Sequence, residues 1–180
     1  MSLKWGIIAA LMAASAPAAS QSDAFHPGPV IPGFGNVANV EQDMEIPADA
    51  EFRVVFDVST AADPGEINRT FASAARFLNM HAEAGVPEER IHLAIVIHGR
   101  AVRDVTRDPF YGAHTDGAEN GSGAAVAELQ RHGVRFYVCG QSAAYYGVAN
   151  ADLLPGVEMA LSAMTAHALL QQQGYTLNPF

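Results

Sequence analysis

One side chain in this sequence is a candidate nucleophile. Cys139 is the only cysteine among 180 residues. It stands in Tyr137-Val138-Cys139-Gly140-Gln141-Ser142, where an apolar run ends in a glycine turn. A thiol in that place has two readings. It is a small buried hydrophobe, or it is a reactive group whose thiolate is stabilised by amides at the start of a following helix. A second reactive side chain, His98, occupies the same kind of position in Val96-Ile97-His98-Gly99. An imidazolium beside a thiol favours the thiolate, so the two together read as a site for thiol chemistry. Gly99 and Gly140 carry no side chain and let backbone approach a ligand closely, while Gln141 and Ser142 supply hydrogen bonds. On this reading Cys139 and His98 are the catalytic candidates, and Gly99, Gly140, Gln141 and Ser142 line the substrate position.

The other chemistry-bearing patterns are weaker. Gly117-Ala118-Glu119-Asn120-Gly121-Ser122-Gly123 lacks a lysine and follows a loop instead of a strand. It therefore fails as a phosphate loop and reads as a hinge with a helix cap. The seven histidines include no i, i+4 pair, and a lone cysteine excludes a multi-thiolate zinc site. No metal and no cofactor is expected; His114 and Asp116 come nearest to an adventitious site. Ser142 lacks the second flanking glycine of a nucleophile elbow. A rhodanese-type thiol cradles an anionic persulfide in loop amides with a basic residue nearby. The segment from Gly140 to Gly147 has no Arg or Lys, which argues against unaided sulfur transfer from thiosulfate and leaves room for passive sulfur carriage.

These residues have to be positioned by regular elements, and the pattern supplies them. Phe52 to Val58 is a short apolar strand, and Ile91 to Ile97 is a nearly continuous apolar run of the kind buried on both faces. Between them, Asp63-Pro64-Gly65-Glu66 predicts a helix start with Asp63 as N-cap. Ile67, Phe71, Ala74, Ala75, Leu78 and Ala82 then give a stripe at helical spacing, closed by Gly85 and Pro87. A long loop is expected from Gly99 to Gly117, a second helix over 119–132, a third strand over 134–138 and a short helix or turn over 140–147. A fourth strand is expected over 157–161, then a helix to Gln173 and a last edge strand over 175–177. Strands alternating with helices predict an α/β domain: a three-layer, doubly wound, flavodoxin-like parallel sheet over residues 52–180. In such sheets, sites lie beyond the carboxyl ends of the strands, which is where His98 and Cys139 fall.

Residues 1–20 follow a different logic. Lys4 gives a charged start, Trp5 to Ala14 is apolar, and small residues follow, the layout of a cleaved secretory signal peptide. The expected location is the periplasm or the outside of the cell, with no membrane association after cleavage. Residues 21–51 hold Pro27, Pro29, Pro32 and Pro47 and read as an extended Pro/Gly-rich arm packed on the domain or on a neighbouring subunit. The chain has ten basic against nineteen acidic residues, a formal charge of −9. Lys4 is the only lysine, so cleavage leaves −10. A chain this acidic offers no basic face to a polyphosphate, which excludes nucleic acid as a partner. The absence of any other lysine excludes Schiff-base chemistry and a Walker lysine.

Two segments carry a family resemblance. Leu93-Ala94-Ile95-Val96-Ile97-His98-Gly99 and Val134-Arg135-Phe136-Tyr137-Val138-Cys139-Gly140-Gln141-Ser142 resemble signature segments of the DsrE/DsrF-like family. Arg76-Phe77-Leu78-Asn79 and Gln173-Gly174-Tyr175 resemble it as well, and Gly28-Pro29-Val30-Ile31-Pro32-Gly33-Phe34-Gly35 is similar to the arm of its exported branch. The resemblance implies a flavodoxin-like sheet, a homotrimer or homohexamer, and a cysteine, at Cys139, that accepts and passes on sulfur as a persulfide. It implies a sulfur donor or acceptor as partner, either a protein or a small sulfur compound. The sequence thus leaves two functions from different classes: a thiol-based sulfur carrier or relay, and a non-catalytic oligomeric small-molecule-binding module with a structural cysteine.

Overall fold

The structure is a computed structural model and describes residues 24–179; the expected signal segment, residues 1–20, lies outside them. The arm forms a two-residue antiparallel pair, β1 (Phe25–His26) with β2 (Val37–Ala38). Five further strands form a parallel sheet: β3 (Phe52–Val58), β4 (Ile91–Ile97), β5 (Arg135–Cys139), β6 (Val157–Ala160) and β7 (Thr176–Asn178). Their order is β6-β5-β4-β3-β7. The architecture is the expected three-layer α/β one, although the strand order departs from that of flavodoxin itself. Among the described residues no helix is long and apolar enough to cross a membrane.

The helices are α1 (Arg69–Glu83), α2 (Asp108–Ala113), α3 (Ser122–Arg131), α4 (Gly140–Tyr146) and α5 (Ala163–Gln172). Strand alternation divides the core between two faces. Phe56 and Val58, Ile95 and Ile97, and Phe136 and Val138 point to a large core with Phe71 and Leu78 of α1, Val126 and Leu129 of α3, and Ala143 of α4. Val55, Ala94 and Val96 point the other way, against Ala166 and Leu170 of α5. The connection leaving β5 thus runs through α4 onto the first face, and the one leaving β6 runs through α5 onto the second. β5 and β6 are neighbours, so two helices diverge from between their carboxyl ends, where ligand crevices form in open α/β sheets.

Three local expectations need correction. Residues 63–66 form a turn, with Glu66 N donating to Asp63 O at 3.0 Å. Gly65 there has φ +84°, a left-handed value that suits Pro-Gly at the centre of a type II turn and breaks a helix. Helix α1 starts later, capped by Asn68, whose side chain accepts from Thr70 N. The second helix starts at Ser122, not at 119, because Asn120 Oδ1 accepts from Ser122 N at 3.0 Å and ends the loop there. The stretch 99–117 is no bare loop: a 3₁₀ segment, Gly99–Val105, and α2 occupy it.

The arm is tied to its own domain. Asn79 on α1 accepts at Oδ1 from Val30 N (3.0 Å) and Ile31 N (2.8 Å). Its Nδ2 donates to Ile31 O (2.9 Å) and Gly35 O (3.1 Å). Ile31 and Val37 are buried. A Cβ on Gly28 would stand 2.1 Å from Asn79 Cγ, so only glycine fits there. Residues 28–37 of the arm are therefore held by their own domain, while Val40 and Met44 farther along it are exposed.

Candidate functional site

Cys139 ends β5 and lies in the second-face series that follows Tyr137. Its residue is 6% exposed. Burial pushes the thiol up. The hydrogen bonds of Ser142, through both its amide and its hydroxyl, and of the Ala163 and Gln141 amides outweigh it and hold the thiol below its ordinary value. These donors come from the first turns of α4 and α5, the two helices that diverge at this point. The sulfur is thus cradled by donors from both faces of the sheet. Ser142 also joins the two strand ends. Gly99 N donates to Ser142 Oγ at 3.0 Å, which occupies a lone pair of the hydroxyl and leaves its proton for the sulfur.

The two glycines are required by the protein's own packing. Gly99 has φ +54°, and a Cβ there would stand 2.8 Å from Ser59 O. A Cβ on Gly140 would stand 2.7 Å from Ala160 O. Gln141 is exposed, and its Nε2 donates to Leu161 O at 3.2 Å.

His98 continues the second-face alternation of β4, with extended backbone (φ −143°, ψ −172°). Ile97 pairs with Val138, so His98 and Cys139 are the next lateral neighbours on adjacent strands. The imidazole directs one of its nitrogens away from the sulfur. Its Nε2 lies 3.0 Å from Asp57 Oδ2 on β3, on the opposite side of β4 from Cys139. His98 is not among the groups that lower the thiol. The groups that hold the thiol low are amides and a hydroxyl.

Asp57 and His167 are the members that sequence reasoning missed. His167 of α5 places Nε2 2.7 Å from Asp57 Oδ1, so one carboxylate joins two imidazoles. Burial raises the Asp57 carboxyl, but the hydrogen bonds and charge of His98 and His167 prevail and hold it below its ordinary value. The only available signal was an Asp interrupting an apolar strand at its carboxyl end, in Val55-Phe56-Asp57-Val58. Among the described residues no three His, Cys, Asp or Glu side chains come together in a way that could hold a metal ion.

A second polar cluster backs the same sheet edge. Asp104 is 1% exposed, and its Oδ2 accepts from Asn68 Nδ2 (2.6 Å) and Ala62 N (2.8 Å). Burial pushes its carboxyl up, partly offset by those hydrogen bonds and by the charge of Arg103, to about 6. Asn68 N donates to Ser122 Oγ, and Asn120 Nδ2 donates to the carbonyls of Asp104 and Thr106. The network pins the loops after β3 and β4 to the start of α3.

Comparison with known proteins gives a family and a fold. A model of the DsrE/DsrF-like family matches residues 53–179. Two solved structures share the fold. One is the protein of unknown function MTH1491 from Methanobacterium thermoautotrophicum, 22% identical, with a TM-score of 0.54 over 72% of this chain and 100% of that one. The other is the ychN protein from E. coli, 16% identical, with a TM-score of 0.52 over 72% of this chain and 99% of that one. No curated protein matches.

Proposed function

The chain belongs to the DsrE/DsrF-like family, and on that premise we propose that it is a thiol-based sulfur carrier or relay in which Cys139 accepts sulfur as a persulfide. The observation that carries this reading is the cradle. A cysteine that only filled core would gain nothing from three amides and a hydroxyl directed at its sulfur, because such donors stabilise a thiolate far more than a thiol. Gln141 and Ser142 belong to the binding turn, and His98 stands on the neighbouring strand.

The sulfur donor or acceptor is a protein or a small sulfur compound. We further propose that the protein works outside the cytoplasm, in the periplasm or beyond, and as a homotrimer or homohexamer. The support for assembly is an apolar surface on the α5 side, where Leu161 (73% exposed), Met164 (79%) and Leu169 (52%) face solvent. Burial of Cys139 favours a second reading, a binding module in which the cysteine is packing.

Incubation of the native protein with a low-molecular-weight alkyl persulfide, followed by intact mass, separates the two. A gain of one sulfur, about 32 Da, in the wild type and none in Cys139→Ser is expected. No gain in the wild type, together with no thiol labelling until denaturation, refutes the carrier reading and leaves the binding module.

A further inference from the structure

Asp57 receives two histidines from different elements, His98 Nε2 at 3.0 Å on Oδ2 and His167 Nε2 at 2.7 Å on Oδ1. An ionised carboxylate only accepts hydrogen bonds, so each imidazole facing it carries a proton on Nε2. The two rings are not equivalent. The His167 side chain is 16% exposed, and its Nδ1 is buried with no hydrogen-bond partner among the described residues. The tautomer with its proton on Nε2 leaves no buried donor unmatched there, so His167 is a fixed anchor for Asp57. The His98 side chain is 33% exposed. With Nε2 committed to Asp57, its Nδ1 is the nitrogen left for another group. His98 stands beside Cys139 on the next strand, at a strand spacing of about 4.8 Å. The other charged groups near Asp57 line the open cleft beside β3: Asp63, Glu66 and Arg69.

We propose that Asp57 is a positioning residue of the thiol site: anchored by His167, it fixes the proton of His98 on Nε2 and leaves Nδ1 as the base for the proton of Cys139. The inference rests on the sulfur-carrier reading. In that reaction the Cys139 sulfur bonds to the outer sulfur of a persulfide, R–S–SH. The donor's S–S bond breaks, and its electron pair leaves with the inner sulfur as R–S⁻. The thiol proton passes to His98 Nδ1 and from there to R–S⁻. Cys139–SH and R–S–SH thus become Cys139–S–SH and R–SH, with no net oxidation. A carboxylate behind the ring stabilises the imidazolium formed between the two proton transfers and holds the base in orientation. Asp57 touches neither sulfur and acts only through His98.

Two measurements test this. Nitrogen-15 NMR of the labelled wild type reads the His98 tautomer directly and needs no variant. A proton on Nε2 is expected; a bare Nε2 with the proton on Nδ1 overturns the proposal. The second follows sulfur uptake by Cys139 from an alkyl persulfide against pH, with iodoacetamide alkylation as a reaction that needs no leaving-group proton. Asp57→Asn is expected to slow uptake at least about tenfold, as His98→Ala does, and to shift the pH profile of uptake, while alkylation at high pH changes less than about twofold. The double variant is expected to be no slower than His98→Ala, because the two residues act as one unit. Wild-type uptake in Asp57→Asn, or effects that multiply in the double variant, overturns the proposal. If the wild type takes up no sulfur, the carrier reading fails, and the His98 tautomer alone upholds or overturns the placement of Asp57.

Discussion

Replacing Asp104 by asparagine should stabilise this protein at neutral pH and not in acid. The carboxyl is 1% exposed, and burial lifts it from 3.8 to about 6 despite two hydrogen bonds and the charge of Arg103. The folded state therefore binds this proton more tightly than the unfolded chain does. Stability from this group is fully present below about 4, falls as pH rises from about 4 to about 6, and is flat above. Two units at about 1.36 kcal/mol each amount to about 3 kcal/mol. An asparagine in its place would be neutral and nearly isosteric. Both observed hydrogen bonds fall on one oxygen, Oδ2, and the amide oxygen can keep both. The variant should gain up to about 3 kcal/mol at pH 7 and nothing at pH 4. Urea unfolding at the two pH values measures this, provided the slope m is unchanged. The contribution of Asp57 runs the other way, present above 3.8 and lost below it, but is common to both proteins and cancels. A variant that is less stable at pH 7, or a gain of the same size at both pH values, would refute the reasoning.

The other expectations concern the thiol and the arm. Ser142→Ala removes one hydroxyl donor from the sulfur and the acceptor of Gly99 N. Losing one hydrogen bond to a charged group, about 1.5 kcal/mol, lowers the thiolate fraction roughly tenfold, and the pH profile of alkylation should move up accordingly. Asn79→Ala strands the amides of Val30 and Ile31 and the carbonyls of Ile31 and Gly35. Three of these four groups, all but the Val30 amide, are buried; at about 1 kcal/mol or more for each buried group left unpaired, the change should cost about 3 kcal/mol or more, and limited proteolysis should cut first within 28–36.

The sheet was legible because its strands are nearly pure apolar runs between clear breakers. The bounds of β3 and β4 coincide with the hydrophobic stretches FRVVFDV and IHLAIVI. Helix starts were less legible. Asp63-Pro64-Gly65-Glu66 carries the residue types of a helix N-terminus and equally those of a type II turn, and what decides between them lies far away. Gly121 packs on the turn so closely that a Cβ there would stand 2.1 Å from Gly65 O, and Ser122 takes the amide of Asn68. The turn and the cap at Asn68 are thus set by residues more than fifty positions on.

The same holds at the site. Cys139 and His98 were legible because each ends an apolar strand before a glycine, and that position alone places both at one sheet edge. Their partners were not. Ser142 was legible as a hydrogen-bond donor, but its bridge to Gly99 needs the register Ile97 to Val138. The Ala163 amide reaches the sulfur only because the connection after β6 crosses to the second face. Asp57 and His167 are 110 positions apart and meet through that same crossover. One change of side, between the helix after β5 and the helix after β6, thus brings α5 over the sheet edge. It delivers an amide to Cys139 and an imidazole to Asp57 together. A local reading of strand ends finds the candidate nucleophile, but the groups around its sulfur belong to the topology.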